Sequence, residues 1–237
     1  MTSITLMHSD IFRLIEILVK SLRIAGHGTK VASIVERDAV EALKRAIEVE
    51  EVSDLGQADI ILEDVRFLGE VSINFVEKLS NNSLLIVSNV IASINQQPEL
   101  FKELGLAGLT KSLLPVDGGV AIAIKRGYDV EFFRKTVEVY RESFIHGPNP
   151  VDYNTALALY ILAKFVLARR RGVIVEVGTG RGFSTLWLAH VAKEINSYVI
   201  SIDNRCDRVD YTKNCLLYTS DAADELDGVD LGGRRII

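Results

Sequence analysis

The sequence predicts an α/β protein: a mostly parallel sheet with helices on both faces, closed by an antiparallel hairpin. Two observations carry this reading. Short apolar runs rich in branched residues, such as Leu84–Val87 and Val173–Val177, alternate with segments of helical period, the pattern of strand–helix–strand units. Asp117-Gly118-Gly119 sits between two further apolar runs, Leu113–Val116 and Val120–Lys125, which signals a hairpin.

The elements follow in order. Ser9-Asp10 caps a helix through Ile11, Leu14, Ile15, Leu18 and Leu22, and Gly26-His27-Gly28 ends it. Lys30–Val35 is a strand candidate, Asp38 can cap a helix over Ala39–Ile47, and Val49–Val52 is a shorter β-prone piece. Asp59–Leu62 is a clearer strand ending at Glu63-Asp64. A helix through Val71, Phe75, Val76 and Leu79 leads to the turn Asn81-Asn82 and the buried strand Leu84–Val87. Pro98–Leu104 suggests a short helix with proline at its start. Tyr128–Ser143 is amphipathic, with Val130, Phe133, Val137 and Tyr140 on one face, and His146–Pro150 reads as a linker.

Val173–Arg205 is the most informative stretch. Val173–Val177 reads as a buried strand, Gly178-Thr179-Gly180-Arg181-Gly182 as a glycine loop, and Ser184-Thr185 as the entry to an apolar-periodic helix. Tyr198–Ile202 is a second strand ending on Asp203. Glycines let the backbone turn tightly and approach a ligand without an intervening Cβ, and loop N–H groups with a helix N-terminus favour a carboxylate or phosphate. An acid 21 residues after Gly182 suits the paired hydroxyls of a ribose. The spacing is G-x-G-x-G rather than the dinucleotide G-x-G-x-x-G, with Phe183 at the third dinucleotide glycine. Glu176 would face a pyrophosphate badly and a cationic ligand well. Both features disfavour a nicotinamide-dependent reductase.

These residues, E-V-G-T-G-x-G-x-S-T, resemble motif I of class I S-adenosylmethionine-dependent methyltransferases, most closely the small-molecule O-methyltransferase branch, in which a helix like Tyr153–Ala168 precedes the motif. The resemblance implies a Rossmann-like methyltransferase fold and S-adenosyl-L-methionine as cofactor, held by Glu176, Gly178, Thr179, Gly180, Gly182, Ser184, Asp203 and Asn204. Gly178, Gly180 and Gly182 would pass under the methionine part. Glu176 would orient that end through the loop or the ammonium group, and Asp203 would hold the ribose. ADIILEDV, SLLIVSNV and SLLPVDGGVAIAIKRG resemble the family's fourth strand, fifth strand and closing hairpin. Residues 1–127 thus resemble a degenerate methyltransferase-like domain without its first strand and motif I. Residues 128–150 form a connecting helix and linker, and 151–214 the N-terminal part of a domain with motif I.

Residues 215–237 resemble translated sequencing adapter rather than natural chain, so the natural sequence is expected to be truncated near Asn214. The alternative is a genuine acidic tail. Its removal takes away five acids and two arginines and moves the formal net charge from −5 to −2. The two parts assemble either as a tandem of two domains or as a composite in which Val173–Val177 docks beside Asp59–Glu63 and supplies the missing first strand, since an apolar strand seeks a sheet.

Metal-using members of the branch place an acid after the fourth strand and an Asp-Asn pair after the fifth. Here Asp64 and Asn89 match, but Ser88 replaces the second acid, so no metal is expected. His146 is a loop histidine more readily solvated than catalytic; His190 and Trp187 read as structural. With 237 residues, 48% hydrophobic, the chain is long enough for one large or two small domains. A net charge of −5 gives no case for nucleic acid, no apolar run reaches about 18 residues, and no secretory signal or disulfide spacing of Cys206 and Cys215 is visible. The expectation is a cytoplasmic enzyme acting on a small-molecule methyl acceptor, with a homodimer open and no nucleic-acid or membrane partner. A non-catalytic cofactor-binding or scaffold protein is the alternative. The acceptor and the catalytic base are not legible.

Overall fold

The computed structural model describes residues 10–24, 26–33, 37–64, 77–88, 90, 108–115, 119–125, 130–146, 150–170, 172–218 and 229–230. The expected helix at Pro98–Leu104, most of the one at Val71–Leu79, Asn89, the Asp117-Gly118 turn and positions 147–149 of the linker lie outside them. The chain divides into two compact units, Met1–Gly127 with Lys164–Arg170, and Tyr128–Ala163 with Arg171–Ile237.

In the first unit, α1 (Asp10–Ile24) buries Ile11, Phe12, Ile15, Leu18, Val19 and Leu22 along one stripe. It ends as sequence predicts: Gly26 takes φ 80°, its N–H donates to the Arg23 carbonyl at 2.8 Å, and the His27 N–H donates to the Leu22 carbonyl at 3.1 Å, a glycine-terminated cap. There follow β1 (Lys30–Ala32), α2 (Arg37–Ala46), β2 (Glu50–Glu51), a 3-10 turn at Leu55–Gln57, β3 (Ile60–Asp64), β4 (Leu84–Ser88), β5 (Leu109–Leu114) and β6 (Val120–Lys125). The six strands lie in the order β2-β1-β3-β4-β6-β5. The first four are parallel; β6 runs antiparallel to β4 and β5, giving the closing hairpin. Ile60–Glu63, Leu84–Val87 and Val120–Ile124 are buried at every position, as expected for strands covered on both faces. The fold is α/β and Rossmann-like, with a mostly parallel sheet.

Arg169 fastens this sheet. Its Nε sits 2.8 Å from Asp59 Oδ1, and Nη1 donates to the Asn82 carbonyl at 2.7 Å and the Phe165 carbonyl at 3.1 Å. The other Asp59 oxygen accepts the Lys30 N–H at 2.8 Å, so one ion pair joins the starts of β1 and β3.

The expected docking of Val173–Val177 beside Asp59–Glu63 does not occur. Among the described residues β3 pairs with β1 through Ile60 and Ile61 and with β4 along its whole length. Val173–Val177 pairs instead with Tyr198–Ile202.

In the second unit, α3 (Val130–His146) and α4 (Tyr153–Leu167, which belongs to the first unit from Lys164 on) precede β7 (Val173–Val177), α5 (Phe183–Glu194), β8 (Tyr198–Ile202), α6 (Cys206–Tyr218) and β9 (Val229–Asp230). The three strands form one parallel sheet, with β7 pairing β8 from Val173↔Tyr198 to Val177↔Ile202. One face is covered by α5, whose Leu188, Ala189 and Ala192 pack with Val199. Trp187 is fully buried among Phe132, Tyr153 and Tyr160, with ring centroids 5.2, 5.8 and 5.5 Å away. The other face departs from expectation. Val175 is 61% and Val177 84% exposed, and Val173, Tyr198, Ile200 and Ile202 share that exposure, so β7 is not the buried strand that its sequence predicts. A five-residue apolar run announces two faces that want cover, not the neighbours that supply it. α6 continues to Tyr218, four residues past Asn214.

Candidate functional site

The turn between β7 and α5 needs three left-handed glycines: Gly178 at φ 95°, Gly180 at 56° and Gly182 at 84°. L-residues reach this region only at a cost, which explains the G-x-G-x-G spacing directly. A side chain built on Gly178 or Gly180 would meet nothing within 4 Å, so the backbone there borders open space. One built on Gly182 would lie 2.6 Å from Thr212 Cγ2 of α6. Two of the glycines therefore leave room for a ligand, and the third makes room for a helix.

Two carboxylates hold the turn. Glu176, on β7, accepts from the Ser184 hydroxyl at 2.6 Å on one oxygen, and on the other from Thr185 at 2.6 Å and Ser201 at 2.5 Å. Thr179 and Ser201 hydroxyls are 2.7 Å apart. Because the single Ser201 proton goes to Glu176, Thr179 is the donor in that pair, and the hydroxyls run in one direction from loop to carboxylate. Thr179, Thr185 and Ser201 are all buried. The half-buried Glu176 carboxylate is stabilised by such donors, and each buried donor would be costly to leave unpaired.

Asp203, at the tip of β8, accepts the Gly180 N–H at 2.9 Å on one oxygen and the Arg205 N–H at 3.0 Å on the other. Its side chain is 2% exposed, with an Arg208 guanidinium nitrogen 4.0 Å away. The Gly178 N–H reaches the Ile202 carbonyl at 2.7 Å, so the β7–β8 ladder continues into the loop. Arg181 lies over the Tyr211 ring at 4.5 Å.

Glu176, Gly178, Thr179, Gly180, Gly182, Ser184 and Asp203 are thus gathered at one turn, while Asn204 is exposed and takes no part in the network. Sequence reasoning missed Ser201, Arg208 and Thr212. Ser201 left a signal, being the one polar residue in the strand Tyr198–Ile202 besides its terminal tyrosine; Arg208 and Thr212 left none, since α6 was not expected. His190 stacks on Phe132 at 3.8 Å and lies 3.7 Å from Glu194, a packing role. Ser88 donates to the Glu63 carbonyl at 3.3 Å. The side chains of Asp64 and His146 lie outside the described residues. Among the described residues no helix is long and apolar enough to cross a membrane.

No family model and no curated protein match the chain. Among solved structures, it is similar to a protein assigned as a caffeoyl-CoA O-methyltransferase from Staphylococcus aureus. That match has 18% identity and a TM-score of 0.30 and covers 47% of this chain and 82% of the other. A methyltransferase from Geobacter sulfurreducens matches at 15% identity and a TM-score of 0.29, covering 47% and 77%. Likeness at that level carries no argument about activity.

Proposed function

We propose that this chain is the cofactor-binding part of an S-adenosyl-L-methionine-dependent methyltransferase acting on an oxygen of a small molecule. The observation that supports this most is the glycine turn held between two acids, Glu176 at its root and Asp203 at its far side, with open space over Gly178 and Gly180. That open backbone fits the methionine end of the cofactor. Glu176 serves by fixing the turn, since both its oxygens already accept hydroxyls. Asp203 carries spare lone pairs for a ribose diol, but its side chain is hidden, so the diol takes the place now held by the Gly180 N–H. Gly180 is then free to donate outward. When bound, the cofactor supplies a methyl group on a positively charged sulfur; the chain's part is alignment of the two reactants. No residue of this chain is assigned as the base.

The hidden Asp203 also favours a second reading, a scaffold in which the turn is closed for good. Calorimetric titration of S-adenosyl-L-methionine into the full chain decides between them, with Asp203→Ala as control. Saturable binding that the substitution abolishes supports the proposal. Failure of the parent chain to bind refutes it, and competition by NAD but not by S-adenosylhomocysteine would mark a dinucleotide site instead.

A further inference from the structure

We infer that the open face of the β7–β8 sheet is a self-association surface, covered by the same face of a second copy of this chain. Val173, Val175 and Val177 on β7 and Tyr198, Ile200 and Ile202 on β8 lie side by side through the registered pairs, and all six are between 41% and 84% exposed. Alternating exposure of this kind normally belongs to strands whose outer residues are polar. Here the outer residues are apolar and the inner ones include Glu176 and Ser201, the reverse of a solvent-facing sheet. The segments Ile60–Glu63, Leu84–Val87 and Val120–Ile124 show what equally apolar runs do when both faces are covered: they are buried at every position.

The area argues for a second copy. At roughly 100 Å² for each half-exposed side chain, on a scale where a buried aromatic hides 150–250 Å², the six present on the order of 600 Å². That is at the upper end of the largest patch a monomer leaves bare. Two such faces together remove about 1,200 Å², the lower bound of a specific interface. A uniformly apolar face is complementary to itself, which a two-fold axis requires, and sheets stack face to face about 10 Å apart. The inference is independent of the cofactor reading, because these side chains point away from the face that carries Glu176 and Ser201.

Sedimentation equilibrium of the full chain over roughly 1 to 100 µM, the regime expected of an interface this small, tests it. The expected result is a species of twice the chain mass that Val175→Lys or Ile200→Lys dissociates at least tenfold more readily. Both positions face solvent, so the circular dichroism of the variants should match the parent. Phe144→Lys on α3, 60% exposed but off the sheet, is the control and should leave the dimer intact. A parent chain that stays monomeric throughout overturns the inference. So does a dimer that both sheet variants leave unchanged, or one that Phe144→Lys alone dissolves.

Discussion

Gly182 offers the sharpest test of how the turn is built, because two separate penalties meet at one atom. Gly182→Ala places a Cβ 2.6 Å from Thr212 Cγ2 and 3.1 Å from its Oγ1, and does so at φ 84°. The left-handed backbone costs an L-residue about 1–2 kcal/mol. The overlap adds about 1–3 kcal/mol of overpacking, because Thr212 is fully buried and cannot swing aside. The single substitution should therefore cost roughly 2–5 kcal/mol. Thr212→Ala removes the two nearest atoms and leaves only Cβ, 3.3 Å away, so in that background most of the steric part is relieved and the backbone part stays. A double-mutant cycle should show a coupling of about 1–3 kcal/mol that favours the pair. Urea-dependent amide hydrogen exchange in peptides covering α5 reads the stability where the change is made. Equal losses in both backgrounds would mean that α6 does not press on the turn, and the account of the third glycine would fall.

Glu176→Ala should cost about 3 kcal/mol by the same exchange measurement, because the buried Thr185 and Ser201 hydroxyls lose their acceptor; Glu176→Gln, which keeps one acceptor oxygen, should cost about half of that. An alanine variant no worse than the glutamine one would contradict the hydroxyl chain. Arg169→Met should destabilise the first unit by roughly 2 kcal/mol, since it strips Asp59 and the Asn82 carbonyl of a partly buried partner; unchanged exchange protection in β3 would refute it. Asp152 caps α4, accepting the Thr155 hydroxyl at 2.5 Å and the Thr155 N–H at 3.0 Å, and these bonds hold its carboxyl below the ordinary 3.8. A depressed carboxyl stabilises the fold above its unfolded value and loses that contribution as pH falls through the lower folded one. Asp152→Ala should thus cost about 1 kcal/mol at neutral pH, the penalty shrinking as pH falls below 3.8. A pH-independent difference would exclude the charge as its source.

The glycine turn and the hairpin were legible in the sequence because each rests on local rules: a left-handed backbone demands glycine, and Asp-Gly-Gly demands a reversal. Glu176 and Asp203 were legible as acids at strand ends, but not their partners. Ser201 becomes meaningful only once β8 is in register with β7, and Thr212 only once α6 has folded back on Gly182. β1 stops at Ala32, short of the predicted Val35, and β2 shrinks to the exposed pair Glu50–Glu51; strand length is set by the neighbour that pairs, which propensity cannot know. The burial of β7 misled for the same reason, since cover on a sheet's second face comes from elements distant in sequence.

The aromatic packing around Trp187 divides the molecule optically. All seven tyrosines and the single tryptophan fall at or beyond Tyr128, and none lies in the segments Met1–Gly127 and Lys164–Arg170 that make up the first unit. Near-ultraviolet absorption, tyrosine and tryptophan emission and most of the near-ultraviolet dichroism therefore arise from the second unit alone. The first unit, with only phenylalanine, contributes chiefly through its peptide bonds. Unfolding followed at 280 nm and at 222 nm will coincide only if both units melt together, so an unlabelled sample reports whether the chain behaves as one cooperative body or two.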